Sequence, residues 1–220
     1  MQRNVFVTGG TGYLGRALIE RLVARGHAVT ALARPGSEAR LPRGARTVLG
    51  AALAQGQWFE HVPRGCVFVH LIGTAHPAPW KAREFERVDL ASVGVALQAA
   101  RRAHCAHFVY LSVARPAPLM RAYQALRAEG ERRVAAAFDR ASFVRPWYVL
   151  GPGHRWPAPL LPLYALAERV PALRDGARRL GLVRLSEFSA ALVAIVEREP
   201  DGCAVFDVPA IRELARAKAS

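Results

Sequence analysis

Residues 5–15 read Val-Phe-Val-Thr-Gly-Gly-Thr-Gly-Tyr-Leu-Gly, and no other stretch limits the fold as strongly. Three strand-type apolar residues run into a turn, and Gly9, Gly12 and Gly15 recur at every third position as the turn becomes helical. Beyond Gly12, Leu14, Leu18 and Leu22 share one stripe, while Arg16, Glu20, Arg21 and Arg25 fall off it. That is the period of an amphipathic helix. A glycine spacing gains meaning when it joins a strand to a helix, because each glycine then has a physical job. Gly9 permits the tight turn, Gly12 lets backbone approach a pyrophosphate, and Gly15 lets the helix pack closely. The helix start offers N–H groups and the positive end of a dipole to the phosphates. The bland alternative is a structural glycine turn with no ligand.

The same alternation continues. Residues 28–33 (AVTALA) read as a second strand, 46–49 as a weak third, 66–72 (CVFVHLI) as a fourth, 108–111 as a fifth and 142–144 as a sixth. Helical patterns fill 82–103 and 118–138. Strands alternating with helices predict parallel βαβ units, and their continuous apolar character predicts burial on both faces. The expected fold is α/β: a Rossmann-type, doubly wound, mostly parallel sheet. Residues 1–220 are read as one dinucleotide-binding domain, with a core over 1–150 and a small substrate-side segment over 151–220. That segment opens with GPGHRWPAPLLP, a loop expected to cross the C-terminal edge of the sheet. Helices over 164–169 and 186–197, the latter capped by Ser186, and strands over 180–183 and 204–208 complete the reading.

Composition narrows the function. Of 220 residues, 52% are hydrophobic and 22% charged, which fits a folded domain and argues against long-range disorder. Thirty-one Lys and Arg against 17 Asp and Glu give +14, a balance that invites a polyanion partner. Yet no helix-turn-helix, zinc or RNP-type motif accompanies it, and the arginines are scattered through every helix. Nucleic acid is therefore not the expected partner. Cys66, Cys105 and Cys203 are odd in number and form no CxxC pair. No leader-like N-terminal stretch and no apolar run of about 20 residues is present, so a cytoplasmic protein without a membrane span is expected. His104-Cys105-Ala106-His107 has metal-ligand residue types but no second cluster, and no metal is expected. His70 and His76 flank the end of the fourth strand, and Trp147, Tyr148, His154 and Trp156 bracket the exit of the sixth. Open α/β sheets bind ligands at those ends.

Thr8-Gly9-Gly10-Thr11-Gly12-Tyr13-Leu14-Gly15 resembles the TGxxGxxG cofactor fingerprint of the short-chain dehydrogenase/reductase superfamily, in the form of its extended and atypical branches. Ile72-Gly73-Thr74 is similar to the end of that family's fourth strand, and 108–112 to its fifth strand with a terminal Ser. Residues 144–153, with Arg145-Pro146-Trp147 and Gly151-Pro152-Gly153, resemble its sixth-strand exit loop. The resemblance implies cofactor contacts from the fingerprint, from Ile72, Gly73 and Thr74, and from Pro146 and Trp147. The segment after residue 155 is short for an epimerase-like substrate domain, which points to the atypical group that includes NmrA-like proteins.

After the second strand an NAD site usually presents an acid to the ribose 2′-OH. Here Arg34 stands there, and its fork suits a 2′-phosphate, so NADPH is expected over NADH, with Arg16 as a second cation. The family's Asp after the third strand, which bonds the adenine amine, is replaced by Leu49-Gly50-Ala51-Ala52. The resemblance also implies a Tyr acid/base, a Lys four residues on and a Ser. Tyr123 and Ser112 match, while Arg127 stands in the place of the Lys. Helical spacing puts Tyr123, Arg127 and Glu131 on one face. The cation is expected to lower the Tyr123 pKa. Three function classes follow: an NADP(H)-dependent oxidoreductase acting on a small carbonyl, hydroxyl or sugar-type substrate; a catalytically silent NAD(P)H-binding sensor or regulator; and, on charge alone and without a supporting motif, a nucleic-acid-binding protein. Oligomeric state is open.

Overall fold

A computed structural model describes residues 2–74, 78–154, 159, 161–198 and 200–217. The chain runs β1 (Asn4–Thr8), α1 (Tyr13–Ala24), β2 (Ala28–Ala33), β3 (Arg46–Leu49), β4 (Val67–His70), α2 (Ala82–Glu84), a π-helical turn (Phe85–Leu90), α3 (Ala91–Arg102), β5 (His107–Leu111), α4 (Arg121–Ala137) and β6 (Ala141–Val144). Then come β7 (Tyr148–Leu150), α5 (Leu161–Ala167), α6 (Pro171–Arg179), β8 (Leu182–Arg184), α7 (Leu185–Glu197), β9 (Cys203–Phe206) and α8 (Val208–Ala217). Seven strands form one parallel sheet in the order β3-β2-β1-β4-β5-β6-β9, and β7 pairs with β8 in a separate parallel ribbon. This is the expected Rossmann-type α/β architecture. The strand order reverses direction at β1, which lies between β2 and β4, and a crevice opens there at the strands' C-terminal ends.

Alternation along the strands sorts the two faces. Val5, Val7, Val67, Val69 and Val109 face a core shared with Leu18, Ile19 and Leu22 of α1 and with Phe188, Leu192 and Ile195 of α7. Phe6, Phe68, Phe108 and Tyr110 face the other way, against Val93, Ala96, Ala99 and Ala100 of α3. Small helix residues leave room for large rings on that face. Phe6 lies 5.3 Å from Phe68, and Phe68 stacks on Phe108 at 5.2 Å. Burial of rings and branched side chains at about 1.5–3 kcal/mol each makes these two layers the main source of cohesion.

The structure departs from the sequence reading at several points. The helix expected over 82–103 is interrupted by the π turn. The helix expected from 118 begins at Arg121, after Met120 in a left-handed conformation with φ 63°. The segment after residue 150 does more than cross the sheet's edge: β9 pairs with β6 as the seventh strand, and α7 enters the core between α1 and α8. The reason is that β6 would otherwise present an open edge, and α7 carries apolar residues on nearly every side, with eight buried positions. Ser186 does not cap α7. The N-cap is Arg184, whose backbone N–H donates to Glu187 Oε2 at 2.8 Å. The last strand ends at Phe206, because Asp207 Oδ1 accepts the Ala210 N–H at 3.1 Å and starts α8, a helix the pattern reading did not find.

Two helix glycines carry opposite predictions. A Cβ on Gly94, in α3, would meet nothing within 4 Å, whereas one on Gly130, in α4, would overlap the hydroxyl of buried Tyr110. Gly94→Ala should stabilise the protein by about 0.5–1 kcal/mol through helix propensity, and Gly130→Ala should destabilise it by about 1–3 kcal/mol through overpacking. Urea midpoints of the two variants read both signs.

Candidate functional site

The glycine turn sits in the β1–β4 crevice. Gly9 has φ +80°, and a Cβ there would come within 2.9 Å of the Leu71 carbonyl carbon, so the turn presses against the exit of β4. A Cβ on Gly15 would overlap the Gly9 carbonyl and Gly10 Cα, and Gly10 itself packs on Ile19, Leu41 and Ala31. Gly12 is different: only the Gly9 oxygen, at 3.2 Å, would lie near its Cβ. Helix α1 starts beside it with no side-chain cap and no acidic residue in its first turn. The first turn of a helix presents backbone N–H groups at its start, here those of Tyr13, Leu14 and Gly15 beside this opening. The arrangement fits the pyrophosphate of a dinucleotide in shape and in charge. Thr11, Tyr13 and Leu14 are half-buried around it. The Tyr13 ring stacks on His154 with centroids 4.1 Å apart, which folds the Gly151-Pro152-Gly153 turn against the helix start.

Arg34 follows β2 directly and is exposed, with its carbonyl closing a turn to Ser37. Arg16 is exposed on the first turn of α1. Leu49, the last residue of β3, and Leu53 beyond it are exposed. Gly50 lies over Trp58, which a Cβ would approach to 2.7 Å.

Beside the cradle lies a buried polar network that ties up several expected cofactor contacts. Ser92 Oγ donates to the Asp89 carbonyl at 2.9 Å, so its oxygen is left to accept from His70 Nε2 at 3.2 Å. His70 Nδ1 then accepts the Thr8 hydroxyl at 2.8 Å. Burial, helped by Arg127, pushes the His70 pKa down to about 3, so this histidine is a neutral strut. Thr74 is likewise committed: its N–H and its hydroxyl both donate to Asp89 Oδ2, at 2.9 and 2.6 Å. Asp89 Oδ1 pairs with Arg127 Nη2 at 2.5 Å, and neither side chain is more than 2% exposed. Arg127 Nη1 donates to the Leu111 carbonyl at 2.9 Å and the Ile72 carbonyl at 3.3 Å, and Nε donates to Tyr123 Oη at 3.0 Å. Gly73 lies against the guanidinium so closely that a Cβ would overlap Nη2.

Tyr123 and Arg127 are therefore brought together, but the electrostatic expectation is reversed. Burial raises the Tyr123 pKa above the ordinary phenol value and outweighs the opposing pull of Arg127, while Asp89 adds to the rise. Ser112, directly after β5, has a partner of its own. Its hydroxyl donates to Glu131 Oε1 at 2.5 Å, two helical turns and about 12 Å along α4 from Tyr123. Its one hydrogen is thus spent on Glu131, which also holds Arg115 at 2.5 Å and Arg145. Burial works against the Glu131 charge, but bonds from Arg145, Ser112 and Arg115 prevail and keep its pKa low. Pro146 is buried, its carbonyl accepts the Ala114 N–H at 2.9 Å, and Trp147 packs against the valine-face core.

Asp89 was missed by pattern reading, although a signal exists. Phe85, Asp89, Ser92, Val93 and Ala96 are all buried on one helical stripe, and an acid on such a stripe must have a buried partner. In the 104–107 stretch, Cys105 Sγ faces Cys66 Sγ at 3.3 Å and His107 Nε2 meets Ser142 Oγ at 2.8 Å; no metal-type cluster exists among the described residues. His76 and Trp156 lie outside the described residues. No helix among those described is long and apolar enough to cross a membrane.

Comparison with known proteins gives a consistent picture. The model of the NAD dependent epimerase/dehydratase family matches residues 5–121. A ceramide reductase of Caulobacter vibrioides is 31% identical over 197 residues, 86% of this chain and 60% of that protein. A divinyl chlorophyllide a 8-vinyl-reductase of Oryza sativa subsp. indica is 37% identical over 160 residues, 66% of this chain and 40% of that protein. The chain thus spans less than two thirds of the length of either relative. Among solved structures, Bordetella bronchiseptica WbmH in complex with NAD+ superposes with a TM-score of 0.69 at 20% identity, covering 99% of this chain and 80% of that one. MoeE5 in complex with UDP-glucuronic acid and NAD gives 0.69 at 20% identity, covering 97% and 81%. At this identity the likeness speaks for the fold alone.

The buried histidines set a pH prediction. Burial, then Arg3 and Arg140, lowers the His107 pKa to about 4, alongside about 3 for His70. Both lie below the unfolded value of about 6.5, so the unfolded chain binds more protons in between. Stability should be full above pH ~6.5 and fall as pH drops toward 4, by up to about 1.4 kcal/mol per pH unit for each histidine. Urea midpoints from pH 7.5 to 4.5 should decline in the wild type and less steeply in His107→Gln; equal slopes would count against the assignment.

Proposed function

The chain belongs to the NAD dependent epimerase/dehydratase family, and we propose that it binds NADP(H) in the β1–β4 crevice and reduces the carbonyl group of a small-molecule or sugar-type substrate. The observation that carries this reading is the open cradle at Gly12 beside the uncapped start of α1. The pyrophosphate would lie on the N–H groups of Tyr13, Leu14 and Gly15. Arg34, exposed past the end of β2, would take the 2′-phosphate, with Arg16 adding charge. The adenine would rest on Leu49 and Leu53 in place of an acid-to-amine hydrogen bond. Reduced nicotinamide, when bound, supplies a hydride. Tyr123 supplies the proton to the carbonyl oxygen, and Arg127 holds the phenol in position through Nε. Ser112 acts through Glu131 on the loops after β5 and β6, where Arg115 and Arg145 converge. The reductase names of the two relatives support a reductive activity. A cytoplasmic location belongs to the same reading, supported by three free cysteines.

A catalytically silent binder is the second reading. It is favoured by the commitment of the Arg127 donors to internal partners, where the family's Lys would reach the cofactor.

In a thermal-shift titration NADPH should raise the melting temperature more than NADH does, and Arg34→Asp should remove or invert that difference, since the shift follows differential affinity. Equal shifts with both dinucleotides would reject Arg34 as the selector. With a panel of small carbonyl compounds, Tyr123→Phe should lower NADPH-dependent kcat/KM by about 10²- to 10⁴-fold and leave the NADPH shift in place. Undiminished turnover would reject Tyr123 as the acid. Binding of NADPH without turnover of any compound would favour the silent binder.

A further inference from the structure

We propose that Asp89 is a positioning residue that neutralises Arg127 and so keeps Tyr123 a protonated phenol, the form that gives a proton to a carbonyl oxygen. The inference rests on the reductive reading above and adds to it the residue that sets the protonation state of the acid. An unopposed cation within about 4–6 Å of a phenol favours the phenolate and draws its pKa down by about 1–3 units. Arg127 is close enough, with Nε 3.0 Å from Tyr123 Oη. It is not unopposed, because Asp89 Oδ1 sits 2.5 Å from Nη2, and the pair as a whole carries no net charge.

The position of Asp89 is fixed from two sides. Its other oxygen accepts both Thr74 donors, and the π turn that carries it also packs Phe85 against the Tyr123 ring, 4.8 Å between centroids. Turns of this kind recur at functional sites because they re-aim side chains within a helix. Among the described residues, the charged groups acting on Tyr123 are Arg127 from its own helix and Asp89 from the π turn; Tyr110 of β5, 3.4 Å from Arg127 Nη1, is the neighbouring titratable group. Burial of Tyr123 works in the same direction as Asp89.

The step balances as a reduction. The carbonyl carbon receives a hydride, with its electron pair, from reduced nicotinamide dinucleotide, which is oxidised. The carbonyl π pair moves to oxygen, and that oxygen forms a bond to the Tyr123 proton as the phenolic O–H breaks. The phenolate left behind regains a proton from water. In the reverse direction Tyr123 takes the proton as a phenolate, the form this environment disfavours, so alcohol oxidation needs a higher pH than carbonyl reduction.

The test is an ultraviolet phenolate titration of the cofactor-free protein, taken as the difference between wild type and Tyr123→Phe. Tyr123 should ionise only above pH ~10, the ordinary phenol value. In Asp89→Asn, with its own Tyr123→Phe reference, the midpoint should fall by about 1–3 units as Arg127 loses its counter-charge. Asp89→Glu should restore a high midpoint. A wild-type midpoint below pH ~9, or an unshifted one in folded Asp89→Asn, overturns the proposal; the wild-type titration stands even if Asp89→Asn fails to fold. NADPH binding is read separately by thermal shift. A protein that binds NADPH but shows an early Tyr123 midpoint loses only the role of Asp89, and one that binds no dinucleotide loses the functional reading itself.

Discussion

A buried ion pair between Asp89 and Arg127 holds the site together. Taking two charges out of water is costly, and their attraction offsets that cost only when the remaining donors and acceptors are also satisfied. Here nearly all are. Thr74 serves one carboxylate oxygen twice, the guanidinium serves the other, and the Leu111 and Ile72 carbonyls and the Tyr123 hydroxyl take further guanidinium hydrogens. The pair therefore joins the exit of β4, the π turn, the end of β5 and helix α4 at one point. Gly73 belongs to the same construction, since only a residue without a side chain leaves the guanidinium its place.

The pair and the glycine cradle are two halves of one arrangement around the exit of β4. On one side Gly9 presses on Leu71, and on the other Arg127 bonds to Ile72, one residue further along. In the proposed function the phosphates of a dinucleotide lie on the helix start and its reactive end faces Tyr123. Charge is distributed to match. The cradle offers backbone N–H groups and exposed arginines to an anion, while the reactive end is lined by a pair with no net charge. Of the +14 carried by the whole chain, only a small share lies at the cradle; in the Glu131 cluster arginines are internal struts between β5, β6 and α4.

What could be read from the sequence was what local pattern encodes. The glycine turn, the apolar strands and their parallel order follow from periodicity and from strand–helix alternation, and the first six strands fall within a few residues of expectation. Features set by distant partners were not legible. Ser186 looked like a cap, but Glu187 reaches back to Arg184 and starts the helix a residue earlier. The face shared by Tyr123, Arg127 and Glu131 is legible from helical spacing, but not that Glu131 takes the Ser112 hydrogen and gathers Arg115 and Arg145. Tyr123 was expected to be acidified because Arg127 was visible and Asp89, 38 residues earlier, was not connected to it. A charge on a helix can be seen in a sequence, but its cancellation depends on the fold.

The most direct measurement is a double-mutant cycle on the pair, with Asp89→Leu, Arg127→Met and the double variant compared by urea denaturation. Each single change strands one buried charge and should cost about 3–5 kcal/mol, and the double variant should cost clearly less than the sum because no charge is left unpaired. Additive losses would contradict the account and would mean that Asp89 and Arg127 hold their places independently.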